Sequence, residues 1–68
     1  MDEKNQPVLV MVTAPDKSAA RKIAGVLIEK KLAACVNISP SWVSIYRWEE
    51  EIREDTEVLM LIKTTVVL

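Results

Sequence analysis

Histidine and phenylalanine are absent from this 68-residue chain, and cysteine and glycine occur once each. Without histidine, no imidazole base and no His-based zinc site can form within one chain. The single thiol, Cys35, cannot close an internal disulfide, and the single glycine, Gly25, cannot build a glycine-rich phosphate cradle. No nucleophile stands beside a plausible base, so an enzyme is not expected. No apolar run approaches the roughly 20 residues that cross a bilayer, so no membrane span is expected. An excess of charge is missing too. Nine Lys and Arg against ten Asp and Glu leave a formal charge of −1, which is too balanced for the basic face that nucleic acid requires. The opening MDEKNQP is polar and acidic, unlike a signal or transit peptide. With a free cysteine, that predicts a reducing, cytoplasmic setting.

What is present is a chain half apolar by count, enough to form a core. The length allows one small domain. Below about 70–80 residues a single core rarely supplies more than about 3–5 kcal/mol. With disulfide and histidine–zinc staples excluded, a partner chain is the staple left.

Residues 1–7 read as a disordered tail, with the folded part at 8–68. Val8 to Val12 is apolar without alternation and closes at Thr13-Ala14-Pro15, which predicts a strand buried on both faces, hence central. Asp16 is a natural N-cap. After it Ala20, Ile23, Ala24, Leu27 and Ile28 follow helical spacing and make one apolar stripe. Lys30 and Lys31 are expected in the last turn, at the negative end of the helix dipole. Gly25 is expected to permit close packing against the sheet, at a cost of about 1 kcal/mol relative to alanine. Leu32, Ala34, Val36 and Ile38 then alternate with polar or small neighbours, predicting a half-buried strand. Pro40 breaks that strand or lies on a sheet edge. Beyond it Tyr46 and Trp48 share a face of an extended arm. Glu49, Glu50 and Glu51 make the turn, and Val58 to Ile62 forms a second buried-type run.

The order is therefore β-α-β-β, with strands near 8–13, 33–48 and 52–64. The two buried-type strands should lie side by side, with the alternating strand flanking the last through a hairpin. The outer edge of the first strand and part of the helical layer are left open. Such a unit is α+β and reads as an incomplete ferredoxin-like split βαβ fold, lacking its second α-β.

The stretches TAPDKSAARKIAGVLIEKKLAACVNISP, SIYRWE and EDTEVLMLIKT closely resemble the divalent-cation-tolerance (CutA) family over residues 8 to 65. The shared pattern is a TxPD helix start, an LAACVN strand, an SxYxWxG arm and an EVLMxIKT strand. The resemblance implies a ferredoxin-like trimer linked to copper and divalent-metal tolerance, without catalysis. It also implies homo-oligomerisation or docking onto full-length subunits and, for animal relatives, association with membrane acetylcholinesterase. This chain departs from the pattern at two places. Glu50 and Glu51 stand where the family has Gly and Lys, a position that suggests positive φ. After Thr65 the family continues into a second helix and an HPYE motif, so the resemblance implies a truncated isoform or fragment whose histidine is absent.

Four features admit functional readings. Cys35 is a soft ligand suited to copper(I), or else a small hydrophobe packed between strands, the reading favoured because one chain offers no second soft ligand beside it. Six carboxylates between Glu49 and Glu57 could attract hard cations. Strand alternation scatters them, so a solvated turn that blunts an edge is favoured. Trp42, Tyr46 and Trp48 read as oligomer-interface anchors rather than base-stacking groups, since little basic charge interleaves them. Lys63 is either a contact for an anion in an intersubunit cleft or an ordinary strand-end lysine. The alternative function, resembling the PII-type signalling trimers, would use Lys63 to sense an anionic metabolite.

Overall fold

The computed structural model describes residues 5–67 of the chain, and Val67 by its backbone alone. The order is β1 (Asn5–Ala14), α1 (Lys17–Glu29), β2 (Cys35–Trp48) and β3 (Glu51–Val67). All three strands form one antiparallel sheet in the order β1-β3-β2. The two outer strands therefore run parallel to each other, and α1 carries the chain between them across the central β3. This is the β-α-β-β half of a split βαβ fold, as the sequence implies.

Val10 pairs with Ile62 and Val12 with Met60, so the two apolar runs do lie side by side. The outer edge of β1 is open, as expected, but the expectation that the strand is buried on both faces and central is corrected. It is an edge strand, and Leu9 and Met11 remain 55% and 64% exposed. Its sequence is suited to burial on both faces, but within the described residues β3 flanks it on one side only. β1 also starts three residues earlier than expected, at Asn5, which pairs with Val67. Residues 1–4 of the expected tail, and Leu68, lie outside the described residues.

The helix begins as its sequence dictates. Asp16 has an extended backbone (φ −157°, ψ 174°), and its Oδ1 accepts the Ala19 N–H at 2.8 Å. Its end differs from expectation. The helix stops at Glu29, and Lys31 adopts φ 60°, so Lys30 and Lys31 lie just beyond the last turn. The Lys31 N–H donates to the Ile28 carbonyl (3.1 Å), and the Leu32 N–H to the Leu27 carbonyl (2.9 Å). Those two bonds define a Schellman end, with lysine where glycine is usual. The Ala34 N–H then donates to Lys63 O, and the Thr64 hydroxyl to Leu32 O, tying the exit loop to β3.

The core is small. Val58, Met60 and Ile62 on one face of β3 meet Ala14, Ala20 and Ala33, with Ala24, Leu27, Val36 and Ile38 packed around them. Three alanines in that set allow the helix backbone to approach the sheet closely. Gly25 is not what permits it, because a Cβ there would meet nothing within 4 Å. Ile23 and Ile28, at the margins of the predicted stripe, are 43% and 44% exposed. One helix covers only a strip of the sheet, so its flanks and the β1 side stay open.

Candidate functional site

The face of β3 opposite the helix carries Leu59, Leu61 and Lys63, by the two-residue alternation of a strand. Cross-strand pairing extends that face into rows: Leu9 beside Lys63 beside Cys35, then Met11 beside Leu61 beside Asn37. Farther along, Trp42 pairs with Glu57, Ser44 with Asp55, Tyr46 with Arg53 and Trp48 with Glu51. Residues 5–14 pair only with the Val58–Val67 half of β3. The segment from Ser41 to Glu57 is therefore a two-stranded arm, and the molecule reaches 51 Å in its longest dimension.

A register shift between Ile38 and Ser41 decides which side chains share this face. Pro40 has no N–H to donate, and the extra residue changes the parity of β2. Odd-numbered Cys35 and Asn37 before the shift thus join even-numbered Trp42, Ser44, Tyr46 and Trp48 after it. Ser39 stabilises the break: its Oγ accepts the Leu59 N–H at 2.8 Å and donates to the Pro40 carbonyl at 2.7 Å. Proline marks the break in the sequence. The reversal of parity, which unites the thiol and the aromatics, is visible only in the register.

Trp42 and Trp48 are 53% and 55% exposed, and Tyr46 is 38% exposed. The Tyr46 hydroxyl donates to Asp55 Oδ2, and the Ser44 hydroxyl donates to Glu57 Oε1. Both bonds run diagonally across the hairpin on the same face. The hydrogen bond to Asp55 is the main cause that pushes the Tyr46 phenol above its ordinary value, with desolvation and the negative charge of Asp55 adding to it. Arg53 lies 3.5 Å from Glu51, an exposed pair of little energetic weight.

Trp48 and Glu51 close the arm through a two-residue turn. Glu49 (φ 48°) and Glu50 (φ 68°) both occupy the left-handed region, the signature of a type I′ hairpin. The positive φ that the sequence suggests at Glu50 is therefore present, and Glu49 shares it.

Cys35 is half-buried, and its thiol makes a long contact to Asn37 Oδ1 at 3.9 Å. Its cross-strand neighbour is Lys63, so two candidate residues taken separately in the sequence lie side by side. Lys63 is exposed and lines a shallow groove with Leu9, Ala34 and Thr64. No three acidic, cysteine or histidine side chains among the described residues gather to hold a metal. The acidic arm residues divide between faces, with Glu51, Asp55 and Glu57 alternating with Glu54. No helix among the described residues is long and apolar enough to cross a membrane.

Residues 8–68 match the family model described as CutA1 divalent ion tolerance protein. The chain is 54% identical over 57 residues to the divalent-cation tolerance protein CutA of Thermus thermophilus, covering 84% of this chain and 55% of that protein. It is 55% identical over 53 residues to human Protein CutA, covering 78% of this chain and 30% of that protein. Among solved structures, the Thermus thermophilus divalent cation tolerance protein superposes with a TM-score of 0.81 at 51% identity, covering 90% of this chain and 59% of that one. CutA1 from Ehrlichia chaffeensis gives 0.86 at 41% identity, covering 94% and 59%. The chain thus spans little more than half of these bacterial relatives.

Proposed function

Because this chain belongs to the CutA1 divalent ion tolerance family, we propose that it acts without catalysis in the cellular response to divalent metal ions, as part of a homo-oligomeric assembly. The family's names are those of tolerance proteins and specify no reaction. One observation carries the assembly reading: Leu9, Met11, Trp42, Tyr46 and Trp48 lie on one continuous, uncovered sheet face. Burying a large apolar side chain contributes about 1.5–3 kcal/mol. A core of this size supplies only a few. The chain is thus stabilised chiefly by covering that face, with the tryptophans and Tyr46 as anchors in a trimer of like or full-length subunits. A reducing, cytoplasmic setting suits the free Cys35.

Copper(I) is the metal whose chemistry fits a thiol. Cys35 is the donor, and a threefold assembly would add the thiols of neighbouring copies. Lys63 pairs with Cys35 across the strands, and its ammonium would attract an anion there. Analytical ultracentrifugation of the chain, alone and with Trp42→Ser and Trp48→Ser, tests the assembly. A monodisperse wild-type monomer with a cooperative urea transition would refute it. Copper(I) competition titration of wild type and Cys35→Ser tests the metal, with weaker binding expected in the variant. Equal affinity removes Cys35 from the reading and leaves the assembly untouched.

A further inference from the structure

The chain consists of two parts with unequal support. The body holds the whole buried core, Ala14, Ala20, Ala33, Val58, Met60 and Ile62, and there β3 is paired on both sides. The arm, Ser41 to Glu57, holds none of that core. β1 ends at Ala14 opposite Val58, so beyond that row β3 has β2 as its one partner among the described residues. Val43, Ile45 and Ile52 on the arm stay exposed. A two-stranded ribbon of this kind is marginal in water. Its turn adds to the difficulty, because Glu49 and Glu50 both hold positive φ. Two side-chain bonds act in the other direction. The Tyr46 hydroxyl donates to Asp55 and the Ser44 hydroxyl to Glu57. Neither bond joins directly opposed residues: Tyr46 stands opposite Arg53 and Ser44 opposite Asp55. Each bond therefore steps two residues along β3 toward the body. In series they tie the ladder together from the Tyr46–Arg53 row to the Trp42–Glu57 row, and both carboxylate acceptors make them charge-assisted.

From this division we infer that the arm opens and closes as a unit of its own while the body stays folded. The Tyr46–Asp55 and Ser44–Glu57 pairs are the latch that keeps it closed. Local opening of this kind is drawn from the least supported part of a structure, and here that part ends at a defined row, Ala14 with Val58. Opening separates Trp42, Tyr46 and Trp48, which are all the aromatic residues of the chain, so the latch also governs whether the aromatic face exists. Both pairs lie within one chain, and the latch does not depend on the assembly proposed above.

The test is amide hydrogen exchange on the whole chain, read by mass spectrometry over the arm and over Val58–Ile62 separately. Asp55→Asn and Tyr46→Phe should each speed exchange in the arm about threefold to tenfold and leave the body unchanged. The two changes together should do no more than either alone, because each removes the same bond. Ser44→Ala and Glu57→Gln should behave as a second such pair. Both tryptophans lie in the arm and the one helix lies in the body. Tryptophan emission should therefore change at lower urea than helix ellipticity, and the variants should move only the emission curve. Arm and body amides that exchange through one common opening, or emission and ellipticity curves that coincide, would overturn the inference. So would slower arm exchange in Asp55→Asn, which would show that repulsion among the arm carboxylates outweighs the bond. Dilution separates the latch from assembly: the variant-to-wild-type ratio of arm exchange should hold over a tenfold dilution. If dilution opens the arm and erases that ratio, closure belongs to the assembly and the latch is refuted.

Discussion

The turn at the tip of the arm offers the sharpest test of how this chain departs from its own local preferences. Glu49 and Glu50 hold φ values of 48° and 68°. A residue with a Cβ in that region loses about 1–2 kcal/mol relative to its preferred backbone, whereas glycine enters it freely. Asparagine tolerates it better than glutamate and is favoured at the first position of a type I′ turn. Glu50→Gly should therefore stabilise the folded chain by about 1 kcal/mol, and Glu49→Asn with Glu50→Gly by about 1–2 kcal/mol. For a domain of this size, 1 kcal/mol corresponds to a rise in Tm of about 4–8 °C. Urea unfolding followed by tryptophan fluorescence suits the measurement, since Trp48 adjoins the turn, and amide exchange in the arm gives a local readout. Glu50→Ala is the decisive control. It removes the same charge as glycine but keeps the Cβ, so it should change stability by no more than a few tenths of a kcal/mol. If alanine stabilises as much as glycine, repulsion among the three glutamates is the cause and the conformational argument fails. A destabilising glycine would show that the turn is not left-handed at Glu50.

Other consequences follow from the same geometry. Lys31 ends the helix at φ 60°, so Lys31→Gly should raise the urea midpoint by an amount equivalent to about 1 kcal/mol, whereas Lys31→Ala should not. Ser39→Ala removes the acceptor of the Leu59 N–H at 2.8 Å, and leaving that part-buried donor unpaired should cost about 1–3 kcal/mol in the same assay. Met60 is fully buried, and Met60→Ala should cost about 2–5 kcal/mol, enough to leave the chain largely unfolded by circular dichroism. Tyr46 is the sole tyrosine, so its ionisation can be followed cleanly by ultraviolet absorbance. Its midpoint should lie above that of the urea-unfolded chain, and Asp55→Asn should lower it. Since the fold raises that pKa, the contribution is present below the unfolded value near 10 and is lost as pH climbs through the raised one. Tyr46→Phe should abolish that alkaline loss.

Much of this molecule is written locally. The chain alone determined that Asp16 starts a helix, because a carboxylate before an amphipathic stripe satisfies an orphan N–H without outside help. It determined the pairing of the two apolar runs, because they are the segments that most need to leave water. The positive backbone angle at Glu50 was legible from the glycine of the resembling family. Three matters were settled only by tertiary structure. Val8 to Val12 reads as buried on both faces, but burial belongs to neighbours and not to sequence, and among the described residues β3 alone flanks it and Leu9 and Met11 stay exposed. Lys31 carries no mark of a left-handed helix end. The backbone adopts it because the Ala34 and Thr64 bonds to the sheet fix where the exit loop must go. Cys35 and the aromatics fall on opposite parities in the sequence, and only the extra residue at Ser39–Pro40 turns them onto one face. A side chain's face in a sheet depends on register, and register is a relation between strands that no single strand encodes.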